Sequence, residues 1–373
     1  MTMPIERPRE SIPIERLDVA AYTIPTDRPE SDGTLAWSKT TLVVVHASAG
    51  GARGLGYTYA DVATARLIGD TLADVVRGRD AMAVPGAWAA MVRSIRNLGR
   101  PGIAQMAIAA VDAAIWDLKA RLLGLPLAVL LGKARDRVPI YGSGGFTSYT
   151  EREIAAQLGG WAADGIPRVK MKVGREPAAD LDRVRAARAA IGPGAALFVD
   201  ANGAYSRKQA LAFAERFAGE GVTWFEEPVS SDDLAGLRLL RDRAPAGVDV
   251  AAGEYGYDIG YFRRMLEAGA VDVLQADASR CGITGFLAVG ALCEARSRPL
   301  RALCALAPPA RRVRGAAARA PRVLPRSRPH RADALRWSGD ARGRHARSGP
   351  RASGHGNRAP ARRRRALHGV RAT

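Results

Sequence analysis

The stretches RVKMKV (168–173), LFVDAN (197–202), TWFEEP (223–228), VDVAAGE (248–254) and VDVLQAD (271–277) decide the fold of this 373-residue chain. Each is short and apolar and is followed by a segment of helical periodicity, the pattern of a strand buried in a parallel sheet. Repeated strand-then-helix units imply a β/α barrel or a doubly wound sheet. In a barrel the C-terminal ends of successive strands converge on one mouth, so Asp200, Glu226 and Glu254 are expected to face a common point. Three carboxylates gathered there repel one another unless a cation lies between them. An all-oxygen set favours a hard divalent ion, and Mg²⁺ is the default choice. Taken singly, each carboxylate reads more simply as a helix N-cap; the ordered set is what points to a site.

Lys170 and Lys172 lie two apart on the first of these strands and therefore project to the same face. Two ammonium groups side by side at a barrel mouth disfavour each other's charge, which makes one of them usable as a base. The alternative is that both are solvated.

KMK (170–172), DAN (200–202), WFEEP (224–228), GE (253–254) and QADASRCGITG (275–285), in this order, resemble the mandelate racemase and muconate lactonising branch of the enolase superfamily. The resemblance covers residues from about 12 to about 295. It implies an enolase-like α+β N-terminal capping domain on a (β/α) TIM-type barrel. It also implies an activity: a carboxylic acid substrate chelates Mg²⁺, a base removes its α-proton, and the metal stabilises the resulting enediolate. Carried over residue by residue, Asp200, Glu226 and Glu254 hold the metal, Lys172 is the base, Lys170 neighbours the substrate carboxylate, and Asn202 lines the mouth. Glu227 is the weaker ligand candidate, because it is one residue along and should face the opposite side of its strand. Sugar-acid dehydration or hydroxy-acid racemisation is the expected reaction, with an acid sugar as the small-molecule carboxylate partner. A homo-oligomer is expected if the barrel is intact.

Upstream, IERLDVAAYTI (14–24) alternates and TTLVVVHA (40–47) returns, so residues 12 to 60 read as antiparallel strands around a polar loop, Pro25 to Ser38. In the family this loop serves as a lid over the mouth; an ordinary hairpin loop is the other reading. GGARGLGYTY (50–59) lacks a phosphate-loop ending and reads as a turn, with Tyr57 a candidate substrate contact. From Asp61 to Leu131 the period is helical, with Gly124 and Pro126 stopping the longer helix. Asp112, Trp116 and Asp117 fall in it at spacings that suit packing and surface pairs rather than a site. VPIYGSGGF (138–146) supplies the first barrel strand and PLRALCAL (299–306) the seventh. No segment reads as an eighth, so the barrel is expected to be incomplete at its C-terminal side. The expected divisions are 1–135 for the cap, 136–305 for the barrel and 306–373 for an Arg-rich tail that is disordered or out of frame.

Charge separates the tail from the rest. Residues 296–373 hold 22 Arg, no Lys and two acids, Asp333 and Asp340, whereas residues 1–295 hold 34 basic and 35 acidic side chains. A basic arm could hold a nucleic acid or another polyanion through its phosphates. It has only Trp337 as an aromatic and no reading module, which argues against nucleic acid as a partner. Arg, Ala, Pro and Gly without Lys, Ile or Phe is the composition of a GC-rich coding sequence read out of frame, and this reading is preferred. Cys281, Cys293 and Cys304 show no CxxC spacing, so a reduced, cytoplasmic setting is expected. No secretory signal is seen, and no apolar run reaches membrane-spanning length.

The tail bears on the chemistry. In the racemase-like subgroup the strand-six Asp orients a His at the end of strand seven, and the pair acts as the second acid/base. Asp277 is present, but Leu303 occupies the position matching the His. A catalytically silent remnant is therefore an alternative to an active enzyme.

Overall fold

The computed structural model describes residues 11–296, together with the backbone of segments 300–303, 322–323 and 369–371. The rest of the Arg-rich tail lies outside the described residues, and so does the reading of it as disordered, basic arm or out of frame.

The cap begins with three antiparallel strands, β1 (Arg16–Ser31), β2 (Ala36–Ala49) and β3 (Ala52–Tyr59). The polar segment expected to be a loop from Pro25 to Ser38 is mostly strand. β1 and β2 pair up to Ser31 and Ala36 across a bulge between Pro25 and Glu30, leaving a turn of four residues. Three local bonds support the extension: Trp37 Nε1 donates to Glu30 Oε2 at 2.9 Å, and Asp32 Oδ1 accepts from Thr34 N and Leu35 N. An Asx-type turn of this kind closes a hairpin without glycine at both corners.

Helices cover one face of this sheet. The first periodic segment forms α1 (Val62–Leu67), a π turn (Ile68–Leu72) and α2 (Ala73–Val76). α3 (Val84–Ser94) and the 20-residue α4 (Ile103–Leu122) follow, then a single turn, α5 (Leu127–Leu130). α4 is buried almost throughout because it is rich in alanine, and β3 meets it with Gly54 and Gly56. A methyl group at either glycine would run into the carbonyl of Ala114 or Ala110, so the close approach of sheet and helix depends on both.

The second domain alternates strand and helix as the sequence predicts. Its elements are β4 (Tyr141–Gly144), α6 (Glu151–Ala163), β5 (Arg168–Lys172), α7 (Pro177–Ile191), β6 (Ala196–Asp200) and α8 (Arg207–Gly219). These are followed by β7 (Val222–Glu226), α9 (Leu234–Arg243), β8 (Asp249–Ala252), α10 (Ile259–Glu267), β9 (Val273–Asp277) and α11 (Ala278–Ala295). Capping boxes start α6 (Thr150 with Glu153) and α8 (Ser206 with Gln209). β4 to β9 pair in order and in parallel, and β10 (Leu300–Leu303) joins β9 as the expected seventh strand. A two-residue β11 (Arg322–Val323), which no sequence signal marked, pairs in parallel with β4. Among the described residues β10 and β11 are not paired with each other, so the sheet curls without closing. Last in the chain, β12 (Gly369–Arg371) lies antiparallel on the edge of β1.

Strand alternation sorts the side chains into two cores. Val169, Met171, Leu197, Val199 and Phe225 point outward into the layer between sheet and helices. Phe198, Trp224, Ala251 and Val273 fill the floor of the curled sheet, with Phe198 and Trp224 stacked at 5.2 Å. Each further step of two residues toward the strand ends carries a charged group above that floor: Lys172 on β5, Asp200 on β6 and Glu226 on β7 stand in register with one another.

Candidate active site

The structure gathers Lys170, Lys172, Asp200, Asn202, Glu226 and Glu254 at the C-terminal ends of β5 to β8. All are buried, with Lys170, Asp200 and Glu226 fully so. Lys172 Nζ lies 2.5 Å from Asp200 Oδ2 and 2.9 Å from Asn202 Oδ1. Lys170 Nζ reaches the same Asp200 oxygen at 2.9 Å and also donates to Glu226 Oε1. The other Glu226 oxygen accepts from Trp224 Nε1 at 3.1 Å, so the floor of the barrel orients it. Asn202 bridges the group: its backbone N–H donates to Asp200 Oδ1 at 3.0 Å and its Nδ2 lies 3.4 Å from Glu254 Oε1.

The electrostatics follow from this packing. Burial alone would push the Asp200 carboxyl up, but the Lys170 and Lys172 ammonium groups outweigh it and hold Asp200 well below the usual carboxylate range. Glu226 goes the other way. Burial, then the nearby charge of Asp200, pushes it up to about 7. Glu227 is raised well above its ordinary value by burial and by the charges of Glu254, Asp200 and Glu226 in turn. β7 ends at Glu226, and Glu227 takes a left-handed φ of 41°, so the period-two rule no longer governs where it points. No sequence signal distinguishes that turn from a continued strand.

The donor set suits a hard divalent cation. Asp200, Glu226, Glu227 and Glu254 offer oxygen only, and Glu227 Oε1 is buried without a hydrogen-bond partner. Among the described residues no three His, Cys, Asp or Glu side chains are yet drawn into a metal-holding group. Lys170 and Lys172 are paired with the carboxylates of Asp200 and Glu226.

Asp277 and Tyr57 stand apart from this group. Asp277 ends β9 and caps α11, its Oδ1 accepting from Ser279 N at 2.8 Å, which is the simpler helix-cap role. Its other oxygen faces Arg280 Nε at 3.9 Å, and Leu303 lies beside it in the β9–β10 register. Arg280 donates to the Tyr257 hydroxyl at 3.1 Å and lies over the Tyr255 ring at 4.9 Å. Tyr255, next to Glu254, is a neighbour of the carboxylates that sequence reasoning missed: burial, then Glu254 and Glu227, pushes its hydroxyl up. Tyr57 lies on β3 of the cap. It pairs with Val44 and meets the Tyr59 ring at 6.2 Å, on the face of β3 opposite Gly54, Gly56 and Thr58.

The hairpin turn between β1 and β2 does reach the mouth. Gly33 packs on the carbonyls of Ala201 and Val173, Thr34 Oγ1 lies 3.5 Å from the Asn202 carbonyl, and Thr147 fixes Ser31 and Asp32. Arg28 pairs with Glu153 on α6. Asp112, Trp116 and Asp117 are structural, as their spacing suggested. Asp112 and Trp116 both bond Thr284, tying α4 to α11, while Asp117 accepts from Leu55 N and pairs with Arg121. No helix among the described residues is long and apolar enough to cross a membrane.

Comparison with known proteins agrees with this architecture. Residues 18–132 match the mandelate racemase / muconate lactonizing enzyme N-terminal domain, and residues 153–337 match the family described as enolase C-terminal domain-like. The 3,6-anhydro-alpha-L-galactonate cycloisomerase of Streptomyces coelicolor is 34% identical over 293 residues, 76% of this chain and 80% of that protein. The L-talarate/galactarate dehydratase of Salmonella typhimurium is 30% identical over 300 residues, 77% of this chain and 75% of its own length. A crystal structure of a mandelate racemase/muconate lactonizing enzyme-like protein from Rubrobacter xylanophilus superposes with a TM-score of 0.76 at 59% identity, covering 78% of this chain and 81% of that one. A Streptomyces coelicolor racemase with bound magnesium gives 0.74 at 33% identity, covering 78% and 83%. With the two domain matches, the curled β/α sheet and the ordered lysines and carboxylates in agreement, the chain belongs to the mandelate racemase / muconate lactonizing enzyme family of the enolase superfamily.

Proposed function

We propose that this chain binds Mg²⁺ through Asp200, Glu226 and Glu254 and removes the proton alpha to the carboxylate of a sugar acid, as a dehydratase, cycloisomerase or racemase. The buried group that carries this reading is Lys172 against Asp200 and Asn202, with Lys170 between Asp200 and Glu226. A bound Mg²⁺ would supply positive charge where the substrate carboxylate becomes more negative. Lys172 takes the α-proton. Lys170, over the Tyr141 ring at 5.5 Å and anchored below Lys172, offers its charge to the same carboxylate. Asn202 holds Lys172 and Glu254 in one frame, so base and carboxylates move together. The hairpin turn packs Gly33 on the carbonyls of Val173 and Ala201, just past the ends of β5 and β6, where a cover that excludes water would strengthen the electrostatic interactions beneath it. The sugar-acid substrate class is supported by relatives named as dehydratases and cycloisomerases of such acids.

The test is a library of acid sugars incubated in deuterated water with Mg²⁺, scored for deuterium at the α-carbon. Incorporation into one or a few members supports the reading; none in well-folded, Mg²⁺-loaded protein refutes it.

One observation favours a second reading, a catalytically silent remnant. Asp277 is spent on capping α11 and on Arg280, and the backbone neighbour where an imidazole is required is Leu303. A polyanion-binding function would rest on residues outside the described ones.

A further inference from the structure

Alternation in a strand should send Glu227 and Glu226 to opposite faces. Glu227 is nonetheless 1% exposed, and its backbone is held in a conformation uncommon for any residue but glycine, with φ 41°. Two hydrogen bonds lock it there. Its N–H donates to the Ala251 carbonyl at 2.8 Å, and its own carbonyl accepts from Gly203 N at 2.8 Å. The second of these couples it to the turn that carries Asn202, itself at φ 47°. The side chain so positioned has a buried oxygen, Oε1, with no hydrogen-bond partner. By contrast Asp200 and Glu226 both receive lysine hydrogens, and Glu254 meets Asn202. A strained backbone that holds an unsatisfied acceptor directly after Glu226, at the strand ends that carry the other carboxylates, is costly to keep, which points to a ligand that repays it.

We propose that Glu227 is a fourth carboxylate of the cation site, accepting hydrogen bonds from water that a bound Mg²⁺ retains. The inference rests on the Mg²⁺ reading above and adds a positioning residue to it. Mg²⁺ dehydrates reluctantly and is usually held with several waters in place. Three protein carboxylates therefore leave coordination positions to water, and the hydrogens of that water need acceptors. Glu227 Oε1 is the buried oxygen of the four carboxylates that lacks a donor. A residue in this role acts on the ion through water, and removing it costs affinity rather than fold.

The experiment is a Mg²⁺ titration by calorimetry, paired with metal-free thermal denaturation, on the full chain and on Glu227→Gln, Glu227→Asp and Asp200→Asn. Gln keeps the shape and loses the charge. Glu227→Gln is expected to melt, without metal, at or above the temperature of the unmodified chain, because a buried unpartnered carboxylate becomes a neutral amide. Its Mg²⁺ affinity is expected to fall about 10- to 100-fold. Glu227→Asp keeps the charge at a shorter reach and should lose affinity in part; it carries the test by itself if Glu227→Gln does not fold. If the unmodified chain binds, Asp200→Asn does not, and the Glu227 variants bind like the unmodified chain, this proposal is overturned and the Mg²⁺ reading stands. A lowered metal-free melting temperature with unchanged affinity gives Glu227 a structural role and also overturns it. If the unmodified chain itself fails to bind Mg²⁺, both fall together.

Discussion

Lys172 donates to Asp200 Oδ2 at 2.5 Å, and that oxygen is the one Lys170 also reaches, at 2.9 Å. A single carboxylate oxygen thus neutralises parts of two buried cations. Asp200→Asn should therefore do two separable things. Without metal it leaves the ammonium groups under-compensated, and removal of one partner from a buried ionic group costs about 3 to 5 kcal/mol. With metal it should abolish the Mg²⁺-dependent rise in melting temperature, which for a ligand at a hundred times its dissociation constant corresponds to roughly 2.7 kcal/mol. Thermal denaturation with and without Mg²⁺ reads both effects. An Asp200→Asn protein as responsive to Mg²⁺ as the unmodified chain would remove Asp200 from the ligand set.

Lys172 is held by the cation group without being part of it. Lys172→Ala is expected to abolish deuterium incorporation at the substrate α-carbon while Mg²⁺ binding persists, since the base acts on the proton and is not among the ligands. Mass spectrometry of the recovered acid, beside a Mg²⁺ titration, separates the two. Exchange that persists at the original rate would move the base to another residue.

The junction of cap and barrel should report pH. Asp112, wholly buried, accepts from Thr284 Oγ1 at 2.6 Å and Thr284 N at 2.9 Å. Burial pushes its carboxyl up to about 7 from an ordinary value of 3.8, with the Thr284 bonds pulling the other way. Between those values the folded chain keeps a proton that the unfolded chain has lost. Its contribution is fully present below about pH 4 and is lost as pH rises through about 7. At about 1.4 kcal/mol per pKa unit the loss is at most about 4 kcal/mol. Asp112→Asn lacks the titration, so its stability should fall less between pH 5 and pH 8 than that of the unmodified chain. Parallel denaturation curves for the two across that range would contradict the assignment.

Turnover by the chain as written is expected to be poor even with the cation bound. Dehydration or racemisation needs a second proton donor, worth about 10² to 10⁴ in rate, and Asp277 is engaged by Ser279 N and Arg280 beside Leu303. Slow exchange from one face by Lys172 is the activity that remains. Assaying the chain against a version whose reading frame is restored after residue 294 tests this. Equal and rapid turnover by both would show that the chain already has its second acid and a working eighth strand.

Much of this molecule was legible in its residues. Short apolar runs, each followed by a segment of helical period, located the strands from β4 to β9 and the helices between them, because a strand buried on both faces is apolar along its own length. The order of Lys170, Lys172, Asp200, Glu226 and Glu254 was legible too: a residue at a strand end faces the mouth if the strand is straight to its last residue. Where the chain leaves the strand, the rule lapses. Glu227 leaves the strand through a left-handed φ, Pro25 to Ser38 is mostly hairpin strand docked on Ala201 and Val173, and Asp277 is a helix cap. Two of these depend on partners distant in sequence, Gly203 for Glu227 and Thr147 for the hairpin, while the Asp277 cap is local, to Ser279 N.

The sequence by itself determined the class of fold, the order of the elements and which types of charged group would arrive at one end of the sheet, since propensity and alternation act within a few residues. Tertiary structure alone decided how those charges are compensated. Asp200 is lowered and Glu226 raised although both are buried carboxylates at strand ends, because one oxygen of Asp200 meets two ammonium groups while Glu226 shares only Lys170 and feels Asp200 beside it. Coulomb energies vary with distances set by packing across strands some thirty residues apart, and no local pattern encodes them.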